Sequence, residues 1–168
     1  MSVLTLLREG NPLADVGRQR EILEQPGNES LPSFQQTLAQ HGIAELRRGD
    51  LKTLQINVGK LCNQTCRHCH VDAGPDRREL MTKENFEHCL RLIVESDVET
   101  VDITGGAPEM NPHFEWFVTE VRKLNRHVID RCNLTILSAP GFTHLPQFLA
   151  KHQVEVVASL PCYLEDNC

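Results

Sequence analysis

The rhythm of the chain from residue 54 onward limits its fold more than any other feature. Leu54, Ile56 and Val58 alternate with Gln55 and Asn57, the two-residue period of a strand. A loop rich in glycine and cysteine follows. Thr82 then stands as an N-cap ahead of Phe86, Cys89, Leu90 and Ile93, which fall on one face of a helix. Residues 99–103 predict a second strand ending at Gly105-Gly106. Asn111 and Pro112 predict the cap and first position of a second helix, whose buried stripe is Phe114, Phe117, Val118 and Val121. A third strand is expected over 127–136, a short helix over 145–151 and a fourth, nearly all-apolar strand over 154–160. Strands and helices alternating every roughly 25–30 residues argue for βαβ units and an α/β fold with a parallel sheet covered on both faces.

Ahead of this rhythm, residues 1–45 form a lead-in. Gly10-Asn11-Pro12 and Pro26-Gly27-Asn28 break it, leaving room for one short helix before a second that runs from Ser33 to Gln40 and stops at Gly42. The core domain is expected to span residues 46–168. In parallel α/β folds, ligands bind beyond the C-terminal ends of the strands. The cysteine loop follows strand one and the double glycine follows strand two, so both belong to the same rim.

Composition sets the chemical setting. A formal charge of −6 argues against a nucleic-acid surface, and no stretch approaches the ~18 apolar residues of a membrane span. Seven cysteines are many for 168 residues, and the number is odd. The run Val3-Leu4-Thr5-Leu6-Leu7 is too short for a secretory core. A reducing, cytoplasmic setting is expected, where clustered thiols more often bind metal than form bridges.

The clustered thiols are Cys62, Cys66 and Cys69, a C-x3-C-x2-C pattern with His68 and His70 flanking the last cysteine. A Cys3His zinc site would pack four ligands into nine residues, whereas zinc sites usually draw pairs from separate segments. Cys66-Arg67-His68-Cys69-His70 matches the haem attachment pattern C-x-x-C-H, but that chemistry belongs to exported proteins and leaves Cys62 unused. Three thiolates on a [4Fe–4S] cluster leave one iron open to chelate a ligand. That pattern, on the loop after the first strand of a parallel β/α fold, resembles the radical SAM signature, in which the open iron binds S-adenosyl-L-methionine. His68 stands where the superfamily usually has an aromatic residue. Gly105 and Gly106 fit its glycine motif, whose backbone approaches the cofactor; Ala107 replaces the usual acidic residue, and Glu109 lies two positions later.

Longer stretches resemble one family more closely. Leu54 to Val58, Cys62 to Pro75, Thr104 to Glu109 with Asn111 to Phe114, and Val156 to Glu165 are similar to the arsenosugar biosynthesis radical SAM family (ArsS). The resemblance implies a partial (β/α) barrel, of which about four β/α units fit into this chain. It implies a [4Fe–4S] cluster and S-adenosyl-L-methionine as cofactors, and an electron donor such as flavodoxin or ferredoxin. It also implies transfer of a 5′-deoxyadenosyl group to a small-molecule substrate, dimethylated trivalent arsenic. Cys62, Cys66 and Cys69 would ligate the cluster, with Gly105, Gly106, Glu109, Asn133 and Ser159 at the cofactor.

A barrel of this type continues beyond four units, so a C-terminally truncated chain is expected, with strand four as an open edge. Such a chain could also be a radical SAM enzyme acting on a peptide or another metabolite, or an inactive cluster-binding fragment. Cys89 and Cys132 are expected in the core. Cys162 and Cys168 follow strand four on the active rim, where the thiolate of Cys162 suits a thiophilic arsenic substrate; an auxiliary cluster, or support of the site from behind its direct ligands, is the other use for this pair.

Overall fold

A computed structural model describes residues 4–24, 32–43 and 45–158. Four strands, β1 (Thr53–Asn57), β2 (Thr100–Thr104), β3 (His127–Arg131) and β4 (Glu155–Val157), form one sheet in the order β1-β2-β3-β4. Every pairing is parallel. Sequential order without reversal is the winding of a barrel wall; a doubly wound sheet would reverse at a switch point.

The helices are α1 (Val16–Leu23), α2 (Phe34–Gln40), α3 (Lys83–Val94), α4 (Phe114–Lys123) and α5 (Leu145–Lys151). Ser33 and Gln36 close a capping box on α2, and Gly42 ends the segment at φ 68°. Thr82 caps α3 through the Asn85 amide, as the sequence predicts. Phe86 and Ile93 of α3 and Phe114, Phe117, Val118 and Val121 of α4 pack with Val101, Ile103 and Val128 into one core. One face of the sheet is thus roofed by helices and, Asp130 apart, apolar. The opposite face carries Gln55, Asp102 and Arg131, linked by hydrogen bonds.

Three expectations change. Asn111 does not cap α4; it closes the 3-10 turn Pro108–Met110, and its amide donates to the Val58 and Met81 carbonyls. Tying three segments together removes Asn111 and Pro112 from the helix, which begins at Phe114. β3 ends at Arg131 because Leu134 turns to φ 60° and a 3-10 turn, Thr135–Ser138, follows. β4 is not covered on both faces: at the sheet edge, Glu155 and Val156 are exposed.

Candidate functional site

The cysteine loop is a folded unit, not a tether. Its two ends zip together: Met81 N–H donates to Val58 (2.9 Å), Lys60 to Glu79 (2.9 Å) and Cys62 to Gly74 (3.2 Å). Arg77 lies inside, only 1% exposed. Its guanidinium donates to Asp72 at 2.7 Å and to Glu79, so one cation holds both walls of the loop. Arg77 beside Glu79 pulls that carboxyl down to about 2. The lead-in also docks here. The Thr5 hydroxyl donates to Asp76 at 2.6 Å and the Leu6 amide to Asp72 at 2.7 Å, contacts spanning 71 and 66 residues.

The glycines after β2 press against this loop. A Cβ on Gly106 would meet the Leu61 carbonyl oxygen at 2.4 Å, and Gly105 (φ 154°) would meet that of Gly59 at 2.8 Å. Gly106 N–H donates to Gly59 and Ala107 N–H to Leu61, both at 2.9 Å. The glycines therefore permit two backbones to touch, a reason the sequence does not reveal, while Gly105 and Gly106 also line the cavity beyond.

That cavity, about 440 Å³, is bounded by Cys62, Cys66, Cys69, Gly105, Gly106, Arg131 and Asn133, with His68 and His70 at its exposed margin. Such a volume suits a small molecule. Cys62 is buried, and Cys66 and Cys69 are half-buried. Burial pushes the Cys62 and Cys66 thiols up, so thiolates there need a metal's positive charge. Peptide N–H groups already face the sulfurs, Gln64 toward Cys62 (3.5 Å) and Ala73 toward Cys69 (3.2 Å).

The spacing of the sulfurs discriminates between metals. Two thiolates on one tetrahedral zinc lie about 3.8 Å apart, from bonds of about 2.3 Å. Cys62, Cys66 and Cys69 do not gather within 4.8 Å of one another, as a different trio among the described residues does. A cubane puts each thiolate on its own iron and spreads them, so the donor set fits a [4Fe–4S] cluster better than a single ion.

Of the other expected contacts, Asn133 reaches the site: its amide donates to Cys62 Sγ at 3.5 Å and to Asn63 at 2.8 Å. Its oxygen accepts from Ile136 N–H and the Thr135 hydroxyl, so it also closes the turn after β3. Glu109 is not among the cavity-lining residues; it is buried beside Asp130 and Cys132. Cys89 is half-buried against the main core. Cys132 is buried as expected, but next to carboxylates instead of in a purely apolar strand. Ser159, Cys162 and Cys168 lie outside the described residues. Sequence reasoning missed Arg131, which lines the cavity and is fixed by Asp102 at 2.9 and 2.8 Å. Arg131 in turn holds the Asp102 carboxyl below its usual range. The signal was partial: Gln55 and Asp102 are polar members of strands whose alternate positions are apolar, whereas Asp130 and Ile129 break that alternation around Arg131.

No helix among the described residues is long and apolar enough to cross a membrane. The chain is 28% identical over 93 residues to a GTP 3′,8-cyclase of Helicobacter pylori, covering 53% of this chain and 27% of that protein. It is 30% identical over 77 residues to a probable GTP 3′,8-cyclase of Pyrococcus horikoshii, covering 46% and 24%. It is also 30% identical over 74 residues to molybdenum cofactor biosynthesis protein 1 of Bos taurus, covering 42% and 12%. The matched stretch thus spans about a quarter or less of these relatives, which are named for chemistry other than the arsenic transfer that the resemblance implies. The family model for the radical SAM superfamily matches residues 56–159, from β1 through β4. Enzymes of that superfamily work with a [4Fe–4S] cluster and S-adenosyl-L-methionine, and it is to the radical SAM superfamily that this chain belongs.

Proposed function

We propose that Cys62, Cys66 and Cys69 ligate the [4Fe–4S] cluster, and that the adjoining cavity holds S-adenosyl-L-methionine against the open iron. The single observation that carries this is the shared rim: the three thiols, Gly105, Gly106 and Asn133 bound one cavity beyond the strand ends. When bound and reduced by a flavodoxin or ferredoxin, such a cluster would supply the one electron for cleavage of the cofactor into methionine and a 5′-deoxyadenosyl radical. The chain's own residues do the rest. Arg77 fixes the loop that carries the thiols, and Asn133 donates to Cys62, favouring its anionic form. Arg131, held by Asp102, places a fixed cation on the cavity wall.

For the substrate we favour dimethylated trivalent arsenic, on the strength of the long motifs 62–75 and 104–114. Cys162 serves as the thiol that receives it, and Ser159 contributes to binding the cofactor; Glu109, buried and absent from the cavity lining, acts only from behind it. A nucleotide substrate is the second reading, supported by relatives named for GTP cyclisation. Their similarity extends over 74–94 residues, about half of this chain and about a quarter or less of each relative. The test is anaerobic incubation of reconstituted, reduced protein with S-adenosylmethionine and either dimethylarsinous acid or GTP. Release of 5′-deoxyadenosine with no added substrate, and an adenosyl–arsenic adduct by mass spectrometry, are expected. A cyclised GTP product would replace the arsenic assignment, and absence of any cofactor cleavage would overturn the enzyme reading.

A further inference from the structure

Behind the cavity lies a group of side chains that the cluster site does not use. Glu109 sits in the turn after the double glycine, and Asp130 and Cys132 stand two apart at the end of β3. One ligand atom from each lies within 4.8 Å of the other two. They are 5%, 0% and 2% exposed. Both oxygens of Glu109 and both of Asp130 lack a hydrogen-bond partner among the described residues. Buried carboxylates are ordinarily paired, hydrogen-bonded or metal-bound.

The surroundings offer no remedy. Asp130 stands in register with Ile103 on the helix-covered face. Cys132 packs with Cys62, Ala107 and Ile136. The charge acting on Asp130 comes from Glu109, and those on Cys132 from Glu109 and Asp130; no cationic side chain among the described residues opposes them. A proton shared between the carboxyls would answer one lone pair and leave the rest facing Cys132, a thiol beside Glu109 whose sulfur accepts from the Leu134 amide at 3.3 Å. A metal ion answers all three groups at once.

The donor set selects the ion. Magnesium and calcium take oxygen and avoid sulfur. Zinc(II) accepts carboxylate oxygen and thiolate in one tetrahedral shell, at about 2.0–2.3 Å. Ligand atoms on such an ion lie about 3.3–3.8 Å apart, so side chains already within 4.8 Å of one another need to close by no more than about 1.5 Å. We propose that Glu109, Asp130 and Cys132 form a mononuclear zinc(II) site, separate from the iron–sulfur cluster, that pins the turn after β2 to the end of β3. These two segments carry Gly105, Gly106 and Asn133, so the ion braces both walls of the cofactor cavity from behind. Cys132 lines that cavity, which gives the ion its way in. On binding, the Cys132 S–H bond breaks, a zinc–thiolate bond forms, and the thiol proton and the proton held by the carboxyl pair pass to water. No electron moves.

Iron and zinc counted separately keep this inference distinct from the cluster reading. The full chain, reconstituted with iron and sulfide and then given zinc chloride, is expected to hold one zinc per chain beyond its iron. The zinc absorption spectrum is expected to show one sulfur, with oxygen in the remaining positions. Calorimetry in buffers of different ionisation enthalpy should give about two protons released per zinc. A variant with Cys62, Cys66 and Cys69 all changed to alanine should keep the zinc and lose the iron. Glu109→Gln with Asp130→Asn should weaken zinc binding at least tenfold, and Cys132→Ser should remove the sulfur signal if that pair fails to fold. The proposal is overturned by absence of zinc in the full chain, by a zinc shell with several sulfurs that vanishes in the triple variant, or by a protonated-carboxyl infrared band that zinc leaves unchanged.

Discussion

Two buried charged groups flank the same rim, and the fold treats them oppositely. Around Arg77 every charge has an answer: the guanidinium meets Asp72 and Glu79, and Asp72 and Asp76 also receive the lead-in. Around Asp130 two carboxylates are shut away with neither a cation nor a hydrogen-bond partner among the described residues. The loop that carries the cysteines is complete as a polypeptide, whereas the wall behind the cavity is completed by something that binds. Preorganisation belongs to the first region and adjustability to the second.

The largest effect should come from breaking the compensated side. Arg77→Ala leaves Asp72 half-buried without its cation, and losing one partner of a buried pair costs about 3–5 kcal/mol. Because Glu79 is half exposed and can turn to water, the low end, about 3 kcal/mol by urea unfolding, is expected. A loss under about 1 kcal/mol would erase the distinction between the regions.

Gly106→Ala comes next. Its Cβ would press on the Leu61 carbonyl, which is backbone and cannot swing aside. Overpacking of this kind costs about 1–3 kcal/mol, and iron retention should fall with it.

Asp130→Asn should act in the opposite direction. In metal-free protein, an amide that donates to Glu109 should raise stability by about 1 kcal/mol near pH 8. The pH dependence sharpens the contrast. Glu79, lowered from 4.5 to about 2, lends stability that is full above 4.5 and lost as pH falls through about 2. Asp130, raised from 3.8 to about 8, lends stability that is full below 3.8 and lost as pH rises through about 8. Urea midpoints of chelator-treated protein should therefore decline at both ends, Glu79→Gln flattening the acid limb and Asp130→Asn the alkaline one. Thr5→Ala should give the smallest shift, read best as faster amide exchange between residues 72 and 76.

Much of this was legible in the chain because its signals are local. Thr82 announced α3, the four-residue stripe announced α4, and the cysteine spacing marked the site. What sequence missed is long-range or context-dependent. Arg77 looks like any surface arginine until Glu79 and Asp72 close on it, and nothing near Thr5 foretells a partner 71 residues away. Asn111 resembled a helix cap because its competing partners, Val58 and Met81, are distant in sequence. Glu109 looked like a cofactor ligand because it follows the glycines, yet the turn Pro108–Met110 carries it under the sheet's helix-covered side.

The central claim is that Cys62, Cys66 and Cys69 hold a four-iron cluster with one iron open to S-adenosylmethionine. Electron paramagnetic resonance of the reduced, reconstituted chain, with and without S-adenosylmethionine, tests it most directly. A [4Fe–4S] signal that changes on adding the cofactor and disappears in the triple alanine variant is predicted. A signal indifferent to S-adenosylmethionine, or one that survives loss of the three cysteines, would contradict it.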